Sequence, residues 1–144
     1  MKLWLIGTPV SAFIPSVGLL LFRLVFGGFM LIGHGWGKLM SFGETAADFP
    51  DPLGIGNALS MGCAVFGEVV CSALVMMGLA TRVAVLPLVF TMGVAAFIIH
   101  GADPVFMGDG AAREPALIYL SAFALLFFTG PGCFSVDSLL IHRK

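Results

Sequence analysis

Apolar residues fill four long stretches of this chain, and polar residues gather between them. The first stretch runs from about Val17 to Met40 and the second from about Gly56 to Leu79. The third runs from about Arg82 to His100 and the fourth from about Pro115 to Thr129. A bilayer core of about 30 Å is crossed by about 20 helical residues. Lipid offers the backbone no hydrogen bonds, so each crossing must be a helix that satisfies its own. The pattern therefore predicts an all-α fold, a transmembrane four-helix bundle occupying the whole chain as one domain. The fourth stretch is short, about 22 Å at 1.5 Å per residue, which suits flanking extension or local thinning of the bilayer.

Local signals mark the boundaries. Gly78 closes the second helix, and Thr81 can cap the third. Pro115 suits the first turn of the fourth, where its missing N–H is not needed. Gly130-Pro131-Gly132 ends that helix. Pro87 falls in an early turn of the third and invites a kink. Pro9 and Pro15 interrupt the N-terminal apolar stretch, and no small-residue cleavage site follows it. Met1 to Ser16 therefore reads as an interfacial lead-in rather than a removable signal. In the tail, Val136, Leu139 and Leu140 share one side, as in a short helix lying at the interface.

Composition agrees with the pattern. Only 10% of the 144 residues are charged, against about 25% in soluble domains. The mean hydropathy is +1.06. A net charge of −1 leaves no basic surface for nucleic acid. Cys63, Cys71 and Cys133 form no C-x-x-C, which argues against thiol–disulfide chemistry; they read as small buried thiols. In a four-crossing arrangement Lys2, Arg82, Arg143 and Lys144 lie on one side. Glu44, Asp48, Asp51, Asp103 and Asp109 lie on the other, with Arg113 as the basic exception. The positive-inside rule then puts both termini in the cytoplasm.

The few ionisable residues within the apolar stretches are the candidate chemistry. Glu68 sits near the middle of the second stretch, where a carboxylate costs about 2.5 kcal/mol or more. It must be neutral, paired or facing an internal cavity. On the first segment Arg23 and His34 differ by about 20° around an ideal helix, and Lys38 lies about 40° beyond. All three therefore face the bundle interior. Asn57, Ala64, Cys71 and Gly78, with Ser60 and Gly67, form a small-residue face on the second segment, which permits close helix approach. Gly33 and Gly37 are a similar pair on the first. The depths of Arg23 and Glu68 differ by about the reach of an arginine side chain, which predicts an Arg23–Glu68 pair. Such a pair either sets helix register or handles a proton or ligand.

A second polar group is expected at the other end of the bundle. His34 and Lys38 close the first segment, His100 closes the third and Glu114 opens the fourth. Antiparallel threading brings them to similar depth. Two histidines and a carboxylate can hold a metal, and two histidines can ligate a haem. A hydrogen-bonded interfacial cluster touching a head group, substrate or partner explains the same residues without either. Lys38 alone also fits a snorkelling lysine.

Taken in order, the chain reads Leu-Phe-Arg23-Leu-Val-Phe-Gly27, then Gly33-His34-Gly35-Trp36-Gly37-Lys38-Leu39, then Phe66-Gly67-Glu68. Next come Gly78-Leu79-Ala80-Thr81-Arg82, Ile99-His100-Gly101 and Glu114, and finally Gly130-Pro131-Gly132-Cys133-Phe134-Ser135-Val136-Asp137. This set resembles the DoxX family of small four-helix membrane proteins, over about Val17 to Leu140. The family usually carries arginine or a similar residue where this chain has Cys133. The resemblance implies a multi-pass protein of the bacterial inner (plasma) membrane. The family takes its name from a subunit of a thiosulfate:quinone oxidoreductase. Other members are linked to redox stress, to complexes with soluble redox enzymes, or to maturation of modified peptides. Its polar positions match Arg23, His34, Lys38, Glu68, Arg82, His100 and Glu114.

Three functions are expected. The first is a redox-associated subunit, an oxidoreductase component that binds a quinone or small substrate in the bundle. Glu68 and His34 would then carry protons as the catalytic residues. Arg23, Lys38, His100 and Glu114 would bind the ligand, and a partner protein subunit would supply electrons. The second is a non-enzymatic scaffold or assembly partner that docks another protein through its acidic loops. The third is a small-molecule transporter, which would need a homo-oligomer to build a pathway.

Overall fold

The computed structural model describes residues 13–108 and 110–142. The lead-in before Phe13 lies outside the described residues, as do Lys2, Asp109, Arg143 and Lys144. Among the described residues every regular element is helical, and there are no strands. Helix α1 spans Phe13–Met40, and one short turn of helix, α2, comes next at Phe42–Thr45. Helix α3 spans Asn57–Met77 and α4 spans Thr81–Ile99. The shorter α5 covers Glu114–Thr129, and α6 covers Val136–His142. Helices α1, α3 and α4 are long and apolar enough to cross a membrane.

Several boundaries match their sequence signals. Gly78 ends α3 in the left-handed conformation, φ 69°. Its N–H donates to Val75 O and the N–H of Leu79 reaches back to Leu74 O, the paired bonds of a Schellman motif. Pro115 lies in the first turn of α5. Pro15 does not interrupt α1, which is helical from Phe13 onward among the described residues.

Large apolar side chains lie exposed on the outside, and several charged side chains are buried within. Ile32 is 72% exposed and Phe128 74%, whereas Arg23 is fully buried and Glu68 is 2% exposed. Lipid solvates the first pair of residues and rejects the second. The core is built from Met30, Val75, Val85, Leu88, Phe123 and Leu126. Helix α1 packs on α3, α3 on α4, and α4 on α5. Between α1 and α5 the contact includes aromatic rings, Phe26 and His34 both standing edge-on to Tyr119 at 6.1 and 5.4 Å.

Glycine makes the closest approaches. A Cβ at Gly35 would stand 2.8 Å from Val69 Cγ2 and 2.9 Å from the Glu68 backbone. One at Gly67 would stand 3.1 Å from Thr91 Oγ1. Gly33 and Gly37 have open space where a Cβ would be, so among the described residues that small pair meets no packing partner. On α3 the expected face is buried from Ser60 to Gly78, but Asn57 is exposed.

Three π-helical turns interrupt the long helices, at Leu31–Gly35, Phe66–Cys71 and Ala95–Ile99. Each adds a residue to one turn and rotates the remainder of its helix about the axis. On α1 the buried positions are Ser16, Arg23, Gly27 and Met30, and the next is Gly35. The last interval is five residues where a regular helix would use four. Gly35 therefore enters the α1–α3 interface and His34 is turned out, where it is exposed. The expectation that Arg23, His34 and Lys38 share one inward face is corrected accordingly.

Candidate functional site

The two long loops, residues 41–56 and 100–113, lie at one end of the helices. The tail helix α6 packs at the other. Each end holds a polar centre.

At the loop end, Lys38 Nζ lies 2.6 Å from both Oε1 and Oε2 of Glu68. The Glu68 side chain is 3% exposed and that of Lys38 is 30% exposed. Helix α1 can bring Lys38 to this point because Gly35, one turn earlier, lets α1 lie directly on the Glu68 backbone. The inference that a mid-membrane carboxylate needs a partner or a cavity is met on both counts. Its partner is Lys38, and the expected Arg23–Glu68 pair does not form.

The pair forms part of the wall of a cleft of about 920 Å³ between α3 and α4. Ser60, Cys63, Ala64 and Phe66 line it from α3, and Pro87, Phe90, Thr91 and Val94 from α4. Phe49, Pro50, Pro52, Leu53 and Ile55 cover it from the loop, and His100 lines it at the end of α4. This size and this balance of apolar wall with few polar groups are typical of small-molecule sites. All three π-helical turns lie in the halves of their helices nearest this end or at mid-helix, and such turns are frequent at functional sites.

The covering loop is tied down by Asp51. Its carboxylate accepts from the N–H of Ile55 at 3.0 Å, the N–H of Gly56 at 2.7 Å and the hydroxyl of Ser60 at 2.7 Å. These bonds favour the ionised form and hold Asp51 below the usual carboxylate range, with the Ser60 hydroxyl as the largest cause.

The remaining predicted residues separate. His100 Nδ1 pairs with Asp103 Oδ2 at 2.7 Å. Glu114 accepts from the N–H of Met107 at 3.0 Å and lines a different groove, between α1 and α5, beside Phe22, Phe26 and Phe106. His34 stands against Tyr119. The expected common cluster is therefore divided. Lys38 and His100 share the cleft, while His34 and Glu114 have other neighbours. Among the described residues no three His, Cys, Asp or Glu side chains converge as a metal-binding group.

At the tail end, Arg23 donates to the carbonyl oxygens of Val75 and Phe134. Val75 belongs to the last turn of α3, where the helix dipole favours a cation and where its carbonyl, already accepting the Gly78 N–H, has a second lone pair to offer. This explains why Arg23 turns toward the tail and leaves Glu68 to Lys38. Beside it, Asp137 caps α4, accepting from the N–H of Ala80 at 2.7 Å and of Thr81 at 3.0 Å. The N–H of Asp137 donates to Gly78 O at 2.9 Å. The cap therefore comes from the tail, and Thr81 is capped rather than capping. The tail segment also buries Ser135, Asp137 and Ser138 and leaves Leu139 and Leu140 exposed. Arg82, also buried, donates to Phe128 O at 3.1 Å. Sequence reading assigned Asp137 no role. Its signal was an acidic residue shortly after a Gly-Pro-Gly stop, two residues past a serine.

The cysteines divide as well. Cys71 is buried as expected, Cys133 is partly buried, and Cys63 is exposed where it lines the cleft.

No curated protein and no solved structure gives a significant match to this chain. The DoxX family pattern matches residues 18–101. That region covers more than half of the chain and contains Arg23, His34, Lys38, Glu68, Arg82 and His100. With its long apolar helices and buried charges, this chain is an integral membrane protein that belongs to the DoxX family.

Proposed function

We propose that this protein is a redox-associated subunit of the bacterial inner membrane that binds a quinone or similar small molecule in the α3–α4 cleft. It would sit there as a multi-pass four-helix bundle, folded as one domain with both termini cytoplasmic. The observation that carries the reading is the Lys38–Glu68 pair, 2.6 Å apart in the wall of an otherwise apolar cleft. The residues present fit such a guest. Apolar walls accept a ring and its chain, an ammonium can donate to a carbonyl, and a carboxylate can accept from a hydroxyl. A bound quinone would supply two-electron chemistry coupled to protons.

The roles of the chain's own residues come from their positions. Lys38 Nζ orients the guest by donating a hydrogen bond. Glu68, held at mid-helix, takes or returns a proton. His100, at the loop end of the cleft, passes the proton toward water, a role sequence reading gave to His34. Arg23 is a structural cation of the tail end. Electrons come from a partner subunit.

The test is an organic extract of protein purified in mild detergent, analysed by mass spectrometry. Wild type should carry quinone near stoichiometry and Glu68→Gln markedly less. Quinone-free wild type from a quinone-replete membrane would sink the reading. A second reading, a scaffold that docks a partner protein, draws on the loop end, where Phe106 is 77% and Met107 67% exposed. Crosslinking from this loop should then capture one specific protein.

A further inference from the structure

We infer that the cleft selects guests whose polar head is electrically neutral, and that the Lys38–Glu68 pair sets this preference by cancelling its own charge. The inference deepens the proposed ligand site and rests on the cleft being one.

Three observations support it. The first is stoichiometry. One ammonium faces both oxygens of one carboxylate at 2.6 Å, so this wall of the cleft carries no net charge. Two of the three N–H donors of Lys38 are engaged by Glu68, which leaves one donor and several carboxylate lone pairs. A hydroxyl or carbonyl can use that remainder without breaking the pair. The second is the rest of the lining. Apart from the pair and His100, whose Nδ1 is held by Asp103, no charged side chain among the described residues lines the cleft. The Ser60 hydroxyl is held by Asp51, and Thr91 adds only a hydroxyl.

The third is the route of entry. Leu59, Phe66, Leu86 and Phe90 line the cleft and are also exposed on the outer surface of α3 and α4. The cleft therefore has a sideways opening toward lipid, and Pro50, Pro52 and neighbouring residues line its loop end. A guest arrives from the bilayer as an amphiphile. An ionic head of either sign would lose its hydration there and meet a pair whose charges cancel, so its desolvation goes uncompensated, which is selection by exclusion.

The experiment uses the full chain in phosphatidylcholine nanodiscs at neutral pH. The probes are three photoactivatable sixteen-carbon chains that differ only in a hydroxyl, carboxylate or ammonium head. Labelling of the peptides around Leu59–Phe66 and Leu86–Val94 is read by mass spectrometry. Wild type should favour the hydroxyl probe on the order of tenfold over either ion, equivalent to about 1.4 kcal/mol. Glu68→Gln leaves Lys38 uncompensated and should move the preference to the carboxylate. Lys38→Met should raise the ammonium probe above the carboxylate. The double variant Lys38→Met/Glu68→Gln restores neutrality and should again favour the hydroxyl, which keeps the test open if a single variant does not fold. An identical order of probes in wild type and the single variants, a charged probe preferred by wild type, or no cleft labelling would each overturn the inference. Hydroxyl-probe labelling in a protein that carries no quinone would defeat the redox reading alone. Bound quinone with no charge discrimination would defeat this inference alone.

Discussion

The two ends of this molecule bury charge in opposite ways. At the tail end, Arg23 and Asp137 are bonded mostly to backbone, on Val75, Phe134, Ala80 and Thr81. These bonds tie α1, the α3–α4 turn and the tail together. At the loop end, Lys38 and Glu68 are bonded to each other and border a 920 Å³ cleft. Backbone partners cannot move without unfolding, so the first arrangement serves stability. Side-chain partners beside a cavity can exchange with a guest, so the second is suited to binding. Burial of a charge alone would not separate these roles; the identity of its partners does.

The comparison is broken most severely at Gly78. A Cβ there would fall on the Arg23 guanidinium and 2.6 Å from Ser135 Cβ, at φ 69°. Gly78→Val should therefore destabilise the protein by about 3 kcal/mol or more, from left-handed strain plus overpacking. Thermal unfolding in detergent measures it. An unchanged midpoint would mean that the tail does not pack against this turn.

Lys38→Met comes next. Removing one partner of a fully buried pair costs about 3–5 kcal/mol. The loss here should be smaller, because Lys38 is 30% exposed. The double variant with Glu68→Gln should recover most of it. If the double variant is as unstable as the single, the pair holds up the fold and the two ends are alike.

Asp137→Ala removes both acceptors from the start of α4. A lost cap costs about 0.5–2 kcal/mol. The same variant should leave amphiphile labelling of the cleft unchanged, and the two readouts together sharpen the contrast between the ends.

The smallest effect is pH-dependent and confined to the covering loop. Asp51 has its folded-state pKa depressed from the ordinary 3.8. Its contribution is therefore present above that value and is lost as pH falls through the lower folded-state value. Amide NMR shifts of Ile55 and Gly56 should stay constant from neutral pH down to about pH 5, because the folded-state value lies below the ordinary carboxylate one. They should move only in stronger acid, and Asp51→Asn should abolish the movement.

Much of the fold was legible in the chain because lipid imposes simple rules. Apolar runs marked the long helices, and Gly78, Pro115 and Gly130-Pro131-Gly132 marked their ends for reasons of backbone geometry. That Glu68 needs a partner or a cavity came from desolvation alone. Its partner did not. Ideal helical periodicity carried His34 inward, but the π-helical turn at Leu31–Gly35 replaced it with Gly35. Depth alone also allowed Arg23 to reach Glu68, whereas the Val75 carbonyl at the end of α3 and the Phe134 carbonyl of the tail drew it away. Asp137, though part of the recognisable ending, revealed no role, because its cap acts on Ala80 and Thr81, more than fifty residues earlier in the chain.

What the sequence determined by itself is the solvent and the class of structure: a helical membrane protein with a few ionisable residues turned from lipid. Transfer free energies fix that residue by residue, whatever the neighbours are. Only the tertiary structure decided which charge meets which, and which of them borders a cleft. Those outcomes depend on the relative depth and rotation of separate helices. A single extra residue in one turn changes the rotation, and local composition does not encode it.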